Sequence, residues 1–470
     1  MVLKVEPTLP NGIIPSPNVS ASKHVIRKRL VEIRAENSSS TFSYDGTQEI
    51  VFDVNSPSDF WECQNSYVRL NFKGQVLNDG SLATSGYLAE GGVHSLFRSV
   101  VIETTSGVLL QRIDRYNKLY AIMAQATMSP DYIDNGLFMT GDSTSMLAGA
   151  RVAFAQNTDI TLTFQPFVPL LQIQSLPLML IRGGLRIRFQ LERPEFVFSQ
   201  TAAISGTGLS AEYTISKPVY MCSFVQPDES LASQFLEMYN GQGLIYNYLS
   251  FKHFLDLIPA ASTGISTTNM YPGVRSAKAV IARIQNHRAE TASNIGTTDI
   301  ELNTLTADSI AQGIGAGLVQ LHYSSGSERF PTSRPMDLTT RDYGEAQMEA
   351  QRALNHVGMS IVGKRASYSE YGKWGNGPGS ESGNVTVNGE DNLDAIRFFA
   401  AVHLSRDSSH WAGLDLSLNP LQGEYNFGSA YVEKNAAATA VTDKSRYIHQ
   451  WVMYDTGMIL SANDGIVVLS

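Results

Sequence analysis

Asp407, Ser409 and His410 fall within the five residues DSSHW, and a carboxylate, a hydroxyl and an imidazole are the parts of a hydrolytic triad. A working triad draws its members from separated segments, and successive residues of an extended chain point to opposite faces, so this cluster does not read as catalytic. Glu390, Asp391 and Asp394 gather carboxylates that suit Ca²⁺, yet without EF-hand spacing they read as a solvated loop. GIGAG from Gly313 and GQG from Gly241 are fragments of phosphate-cradling loops. Neither completes GxGxxG between a strand and a helix, and neither carries Gly-Lys-Ser/Thr, so both read as turns.

The nine histidines are dispersed, and none belongs to the His-Glu-x-x-His of a helical zinc site. His94, in GGVHSLF, reads as a hydrogen-bonded histidine at a strand entrance. Cys63 and Cys222 are the only cysteines, which excludes CxxC and a disulfide framework and fits a reducing compartment. No catalytic, cofactor or metal residue is therefore assigned. Paired carboxylates for glycoside hydrolysis are positioned by the fold, so local spacing does not address them.

One charged cluster stands apart. SKHVIRKRL concentrates Lys23, Arg27, Lys28 and Arg29 just after a Pro-rich start. A net charge of −9 argues against a surface built throughout for nucleic acid, because neutralising phosphates takes many clustered cations. The run suits nucleic acid, lipid head groups or an acidic partner, or it is a solvated stretch flanking the first strand. Ahead of it, Pro7, Pro10, Pro15 and Pro17 break regular hydrogen bonding, and Leu9, Ile13 and Ile14 follow no helical or strand period. This segment is expected to be an arm that docks in extended form in a groove of a neighbouring molecule. The N-terminus lacks a secretory pattern, and no apolar run approaches a membrane span.

The elements that would position any site are mostly strands. SYVRLNFKGQV alternates Val68, Leu70 and Phe72 with polar residues, LRIRFQL alternates Leu185, Ile187, Phe189 and Leu191 with Arg186, Arg188 and Gln190, and DITLTF repeats the pattern. Ile187 is thus expected between sheets, with Arg186 on the opposite face. Three helices are expected: one carrying Ile113, Tyr116, Tyr120 and Met123 on a face, one after the N-cap Asp228 with Leu231, Phe235 and Tyr239, and one with Tyr343, Ala346, Ala350 and Leu354. VVIETTSG, ending at Gly107, matches VQLHYSSG, ending at Gly326, and each is followed by an amphipathic helix. A chain of 470 residues with 43% apolar residues suits two large globular domains, and the echo suggests two copies of one β domain, each with its own core.

Taken in order, IVFDVNSPSDFWECQNSYVRLNFKGQV, GGVHSLFRSVVIETTSGVLLQRIDRYNKLYAIM, ISKPVYMCSFV, GVRSAKAVIARIQN, VQLHYSSGSERFPTSRPMDL, YGEAQMEAQRALN, FFAAVHLSRDSSHWAGLDLSLNPLQG and HQWVMYDTGMILSANDGIVVLS make a recognisable series. The series resembles the double jelly-roll major capsid proteins, the lineage that includes adenovirus hexon, tailless membrane-containing phages, virophages and polinton-like viruses.

The resemblance implies an all-β fold of two eight-stranded antiparallel jelly-roll sandwiches in tandem, with a few short helices. It divides the chain into an arm over 1–30, a first jelly roll over 31–227, a linker helix over 228–243 and a second jelly roll over 244–470. It implies a non-enzymatic protein of a DNA virus that forms homotrimeric, pseudo-hexagonal capsomers and tiles an icosahedral shell. The implied partners are the chain itself, neighbouring capsomers, penton and minor capsid proteins, and an inner membrane or genome met through Lys23, Arg27, Lys28 and Arg29. No cofactor is implied. The implied location is the virion, with synthesis in the host cytoplasm and assembly there or in the nucleus. The Gly-rich stretch from Lys373 to Asp391 suits an outer tower loop. The competing expectation is a β-sandwich carbohydrate-active enzyme or lectin, which a cleft with convergent carboxylates and aromatic platforms would distinguish.

Overall fold

The strand Leu185–Leu191 buries every odd residue and half-exposes every even one, so its apolar side chains meet an opposing sheet while its arginines point outward. The structure, a computed structural model, describes residues 25–37, 39–78, 81–82, 87–89, 91–128, 156–173, 175–199, 209–259, 264–286, 318–338, 344–356, 386–387, 390–391, 398–404, 413–427, 445–462 and 465–469.

The principal strands of the first half are β1 (Val25–Arg34), β2 (Glu49–Val54), β3 (Phe60–Asn78), β4 (Phe97–Thr104), β5 (Leu109–Asp114), β6 (Ile160–Phe164), β7 (Leu185–Leu191) and β8 (Leu209–Pro227). One sheet runs β1-β8-β3-β6 with three short strands added, and the other runs β2-β7-β4-β5. The second half supplies β9 (Leu244–Ile258), β10 (Gly264–Met270), β11 (Ala277–Asn286), β12 (Leu318–Ser325), β13 (Glu328–Phe330), β14 (Ala400–His403), β15 (Leu421–Phe427) and β16 (Arg446–Ser461), followed by β17 (Gly465–Leu469). Its sheets run β9-β16-β11-β14, with β17 added on β16, and β10-β15-β12-β13. Adding eight to each strand number of the first half gives the second. All these pairings are antiparallel, and each half is a jelly roll.

The echoed octapeptides occupy equivalent places. VVIETTSG is β4 with the turn into β5, VQLHYSSG is β12 with the turn into β13, and both terminal glycines take positive φ, 91° at Gly107 and 60° at Gly326. After each hairpin comes a helix, α1 (Tyr116–Thr127) in the first roll and α3 (Gly344–His356) in the second. Tyr116, Tyr120 and Met123 are buried as their spacing suggests, but Ile113 belongs to β5. Arg115 stands between them in the left-handed region at φ 53°, so the chain changes direction before the helix begins. Between the rolls, α2 (Glu229–Asn240) is capped by Asp228, whose carboxylate accepts from the Leu231 amide at 2.7 Å, and it ends at Gly241. Tyr343 and most of the 373–391 stretch lie outside the described residues.

Two expectations are revised. Residues 25–30, placed with the arm, form the start of β1 and pair with β8 from Val25↔Pro227 to Leu30↔Ser223. An edge strand held by one neighbour's backbone needs no buried side chain there, and the six residues from Val25 to Leu30 are all exposed, so the usual alternation is missing. The two cores are also not separate, because the buried apolar side chains of both rolls form one continuous cluster.

Candidate assembly surface and inter-roll seam

Of the four basic residues expected to meet partners, Lys23 lies outside the described residues and the other three sit on β1. Arg27 is exposed, opposite Gln226. Lys28 reaches back to Glu62 at 2.5 Å, and Arg29 reaches Asp59 at 2.5 Å. Burial acts to raise the Glu62 carboxyl, but hydrogen bonds from Lys28, Asn65 and Ser223 outweigh it and hold the group below its ordinary range. Two of the three cations are therefore partly spent within the sheet, while Ile26 and Leu30 beside them stay more than half exposed, at 65% and 51%. Among the described residues no strand covers the outer side of β1.

Sequence reasoning missed the seam between the rolls. Tyr248 of β9 donates to the Leu110 carbonyl of β5 at 2.7 Å. Gln111 donates to the Leu249 carbonyl at 2.8 Å and accepts from the Leu170 amide at 2.9 Å, while the Trp451 indole donates to the Asp114 carbonyl at 3.3 Å. Deeper, the buried Lys118 ammonium of α1 donates to Gln285 Oε1 at 2.6 Å and lies 3.4 Å from His449 Nε2. The other ring nitrogen of His449, Nδ1, lies 3.0 Å from His253 Nε2, so the contact runs on from α1 through β16 to β9. The seam thus fixes the relative orientation of two like domains with directional bonds. One signal in the sequence could have revealed it: a lysine in the middle of the YNKLYAIM run, where every side chain is buried.

His94 is buried before β4 with Nδ1 2.7 Å from the Tyr116 hydroxyl, and its ring stacks on Tyr120 at 3.7 Å. Burial holds its pKa down to about 3, so it is neutral across the ordinary pH range. Cys63 and Cys222 are free, buried thiols, and burial pushes both well above the usual range. DSSHW, GIGAG and Asp394 lie outside the described residues; Glu390 and Asp391 form a short strand paired with Thr386–Val387. Gly241 and Gly243 form the turn after α2. Among the described residues no cluster of His, Cys, Asp and Glu is arranged to hold a metal, and no helix is long and apolar enough to cross a membrane.

A cleft of about 390 Å³ opens where the seam meets α2, lined by Thr105, Ser106 and Val108 of the β4–β5 turn, Leu180, Arg182 and Gly183 ahead of β7, Tyr239 of α2, and Gly465 and Ile466 of β17. Among the described residues that line it there is no pair of carboxylates, the feature the two-acid route to glycoside hydrolysis uses.

No protein-family model and no curated protein matches the chain. Solved structures do. A chain of the Sputnik virophage, solved by cryo-EM, superposes with a TM-score of 0.58 at 13% identity, covering 98% of this chain and 92% of that one. A PBCV-1 virus capsid chain gives 0.58 at 11% identity, covering 94% and 97%. The Faustovirus major capsid protein gives 0.53 at 9% identity, covering 93% and 90%. The fold is the double jelly roll of viral major capsid proteins. The likeness covers 98%, 94% and 93% of this chain in the three cases, so the double jelly roll accounts for both rolls rather than for one sandwich within it.

Proposed function

We propose that this chain is the major capsid protein of an icosahedral virus and that three copies form a pseudo-hexagonal capsomer. The observation that carries the proposal is the recurrence of β1-β8-β3-β6 as β9-β16-β11-β14 within one chain. Threefold symmetry acting on two like rolls gives six like edges, so one protein tiles a nearly hexagonal lattice. The seam supports this reading, because six edges are regular only if the two rolls hold a fixed angle. The chain acts as a wall and catalyses no reaction. Its partners are two further copies, neighbouring capsomers, and penton and minor capsid proteins in the virion. The basic edge of β1, with Lys23 ahead of it, faces an inner membrane or the genome through salt-sensitive contacts.

Light scattering of the purified protein tests the proposal. A trimer with a hexagonal outline by electron microscopy is the expected result. A stable monomer at capsid-forming concentrations would overturn it.

A further inference from the structure

α2 is a helix without a buried residue. Leu236 is 49% exposed, Phe235, Met238 and Tyr239 are only partly covered, and the helix runs directly into the cleft, where Tyr239 is a wall. The cleft continues this face with Val108, Leu180 and Ile466, so Tyr239 joins the apolar side of α2 to an apolar wall. An exposed apolar strip of this kind on a folded chain marks a binding surface.

What lies outside the described residues at this point is the N-terminal segment, and its place of attachment is known. Val25 pairs with Pro227, the residue before the N-cap Asp228, so the segment joins the fold beside the first turn of α2. Twelve helical residues span about 18 Å at 1.5 Å each. The ten residues between Ile14 and Val25 cover about 31 Å in the extended form that prolines favour. The chain ahead of Val25 is therefore long enough to bring Leu9, Ile13 and Ile14 to any point along the helix. The charges also match. Asp228, Glu229 and Glu237 give α2 only negative charge, whereas the segment carries Lys4 and Lys23 against Glu6.

The geometry points to the segment Leu9–Ile14 of the same chain as the occupant of this strip, lying along α2 and entering the cleft beside Tyr239. Tethering at Val25 favours this intramolecular site over an identical site on another copy, because the linker sets a high effective concentration. The assignment does not depend on capsid assembly.

A cysteine pair in the full-length protein tests it. Cys63 and Cys222 are buried and do not compete. Ile14→Cys with Leu236→Cys should form a disulfide within one chain under mild oxidation, running at monomer mass on a denaturing gel without reductant. The bond should form about tenfold faster than in the control Ile14→Cys with Leu418→Cys, whose partner residue is 93% exposed and belongs to neither α2 nor the cleft lining. Adding Leu9→Asp and Ile13→Asp should remove that advantage. Equal rates in the two pairs, no bond, or a bond joining two chains would overturn the assignment.

Discussion

The Tyr248 hydroxyl donates to the Leu110 carbonyl at 2.7 Å, joining the first strand of one roll to the fifth principal strand of the other in a buried setting. Removing the hydroxyl in Tyr248→Phe leaves a seam carbonyl without this donor, at a cost of about 1–2 kcal/mol. Since one apolar cluster runs through both rolls, the variant should lower the midpoint of a single unfolding transition. Calorimetry that resolves two separate transitions in the parent protein would show that the seam does not couple the rolls.

Ile187 and Arg186 are neighbours on β7 with opposite surroundings. Ile187→Asp places a charge where the native side chain is fully buried and should cost several kcal/mol, about 3 or more, with loss of soluble protein. Alternation alone makes Arg186→Ser mild. Its guanidinium, however, holds Asp53 through two bonds of 2.7 Å, and these two bonds, with the Asp53 charge beside them, push its pKa above the usual arginine value. Arg186→Ser should therefore lower stability measurably in urea unfolding, by less than Ile187→Asp. Equal losses in the two variants would contradict the strand's facing.

Elements with one wet and one dry face were legible, because burial of alternate residues leaves a period of two in β3, β6 and β7. The equivalence of β4 and β12 was legible through a Ser-Gly turn that both hairpins need. β1 was not, since an edge strand with exposed side chains has no period to show. The seam was not either. Lys118, Gln285 and His449 are far apart in sequence, and only the packing of α1 against the second roll gives them a common purpose. The basic run was legible as a cluster, but its intramolecular pairs with Asp59 and Glu62 depend on the neighbouring strand.

Burial of His94 links stability to pH. Its pKa is about 3 in the fold against an ordinary 6.5, so below pH 6.5 the unfolded chain takes up a proton that the folded chain refuses. The contribution is complete above 6.5 and is lost as pH falls toward 3, at about 1.4 kcal/mol per pH unit. His94→Gln should show a flatter decline in urea-derived stability between neutral pH and about pH 5. An unchanged slope would mean that His94 is not held neutral.

The paired turns offer a matched test of the internal repeat. Gly107 and Gly326 have positive φ, and an added Cβ at either meets nothing within 4 Å. Alanine at each should cost only the left-handed strain, about 1 kcal/mol. At Gly184, also at positive φ, a Cβ would overlap the Val54 carbonyl oxygen, so Gly184→Ala should cost more than either. Thermal unfolding of the three variants checks the order, and unequal losses at Gly107 and Gly326 would break the equivalence of the hairpins.

Arg27 and Arg29 separate what the basic strand does for binding from what it does for folding. Arg29 neutralises Asp59, whose side chain is only 2% exposed and otherwise accepts from Ser56 at 2.6 Å. Arg29→Gln leaves that carboxylate in place without its cation, and because the arginine is itself part exposed the loss should be about 1–2 kcal/mol. Arg27 is exposed, so Arg27→Gln should leave stability within about 0.5 kcal/mol of the parent. The same Arg27→Gln protein should elute from an anion-exchange column at higher salt, because in a chain of net charge −9 the loss of an exposed cation strengthens long-range attraction to the resin. If instead both variants lose stability equally and neither changes its elution, the strand's positive charge belongs to the fold alone, and the inner-partner role proposed for it falls.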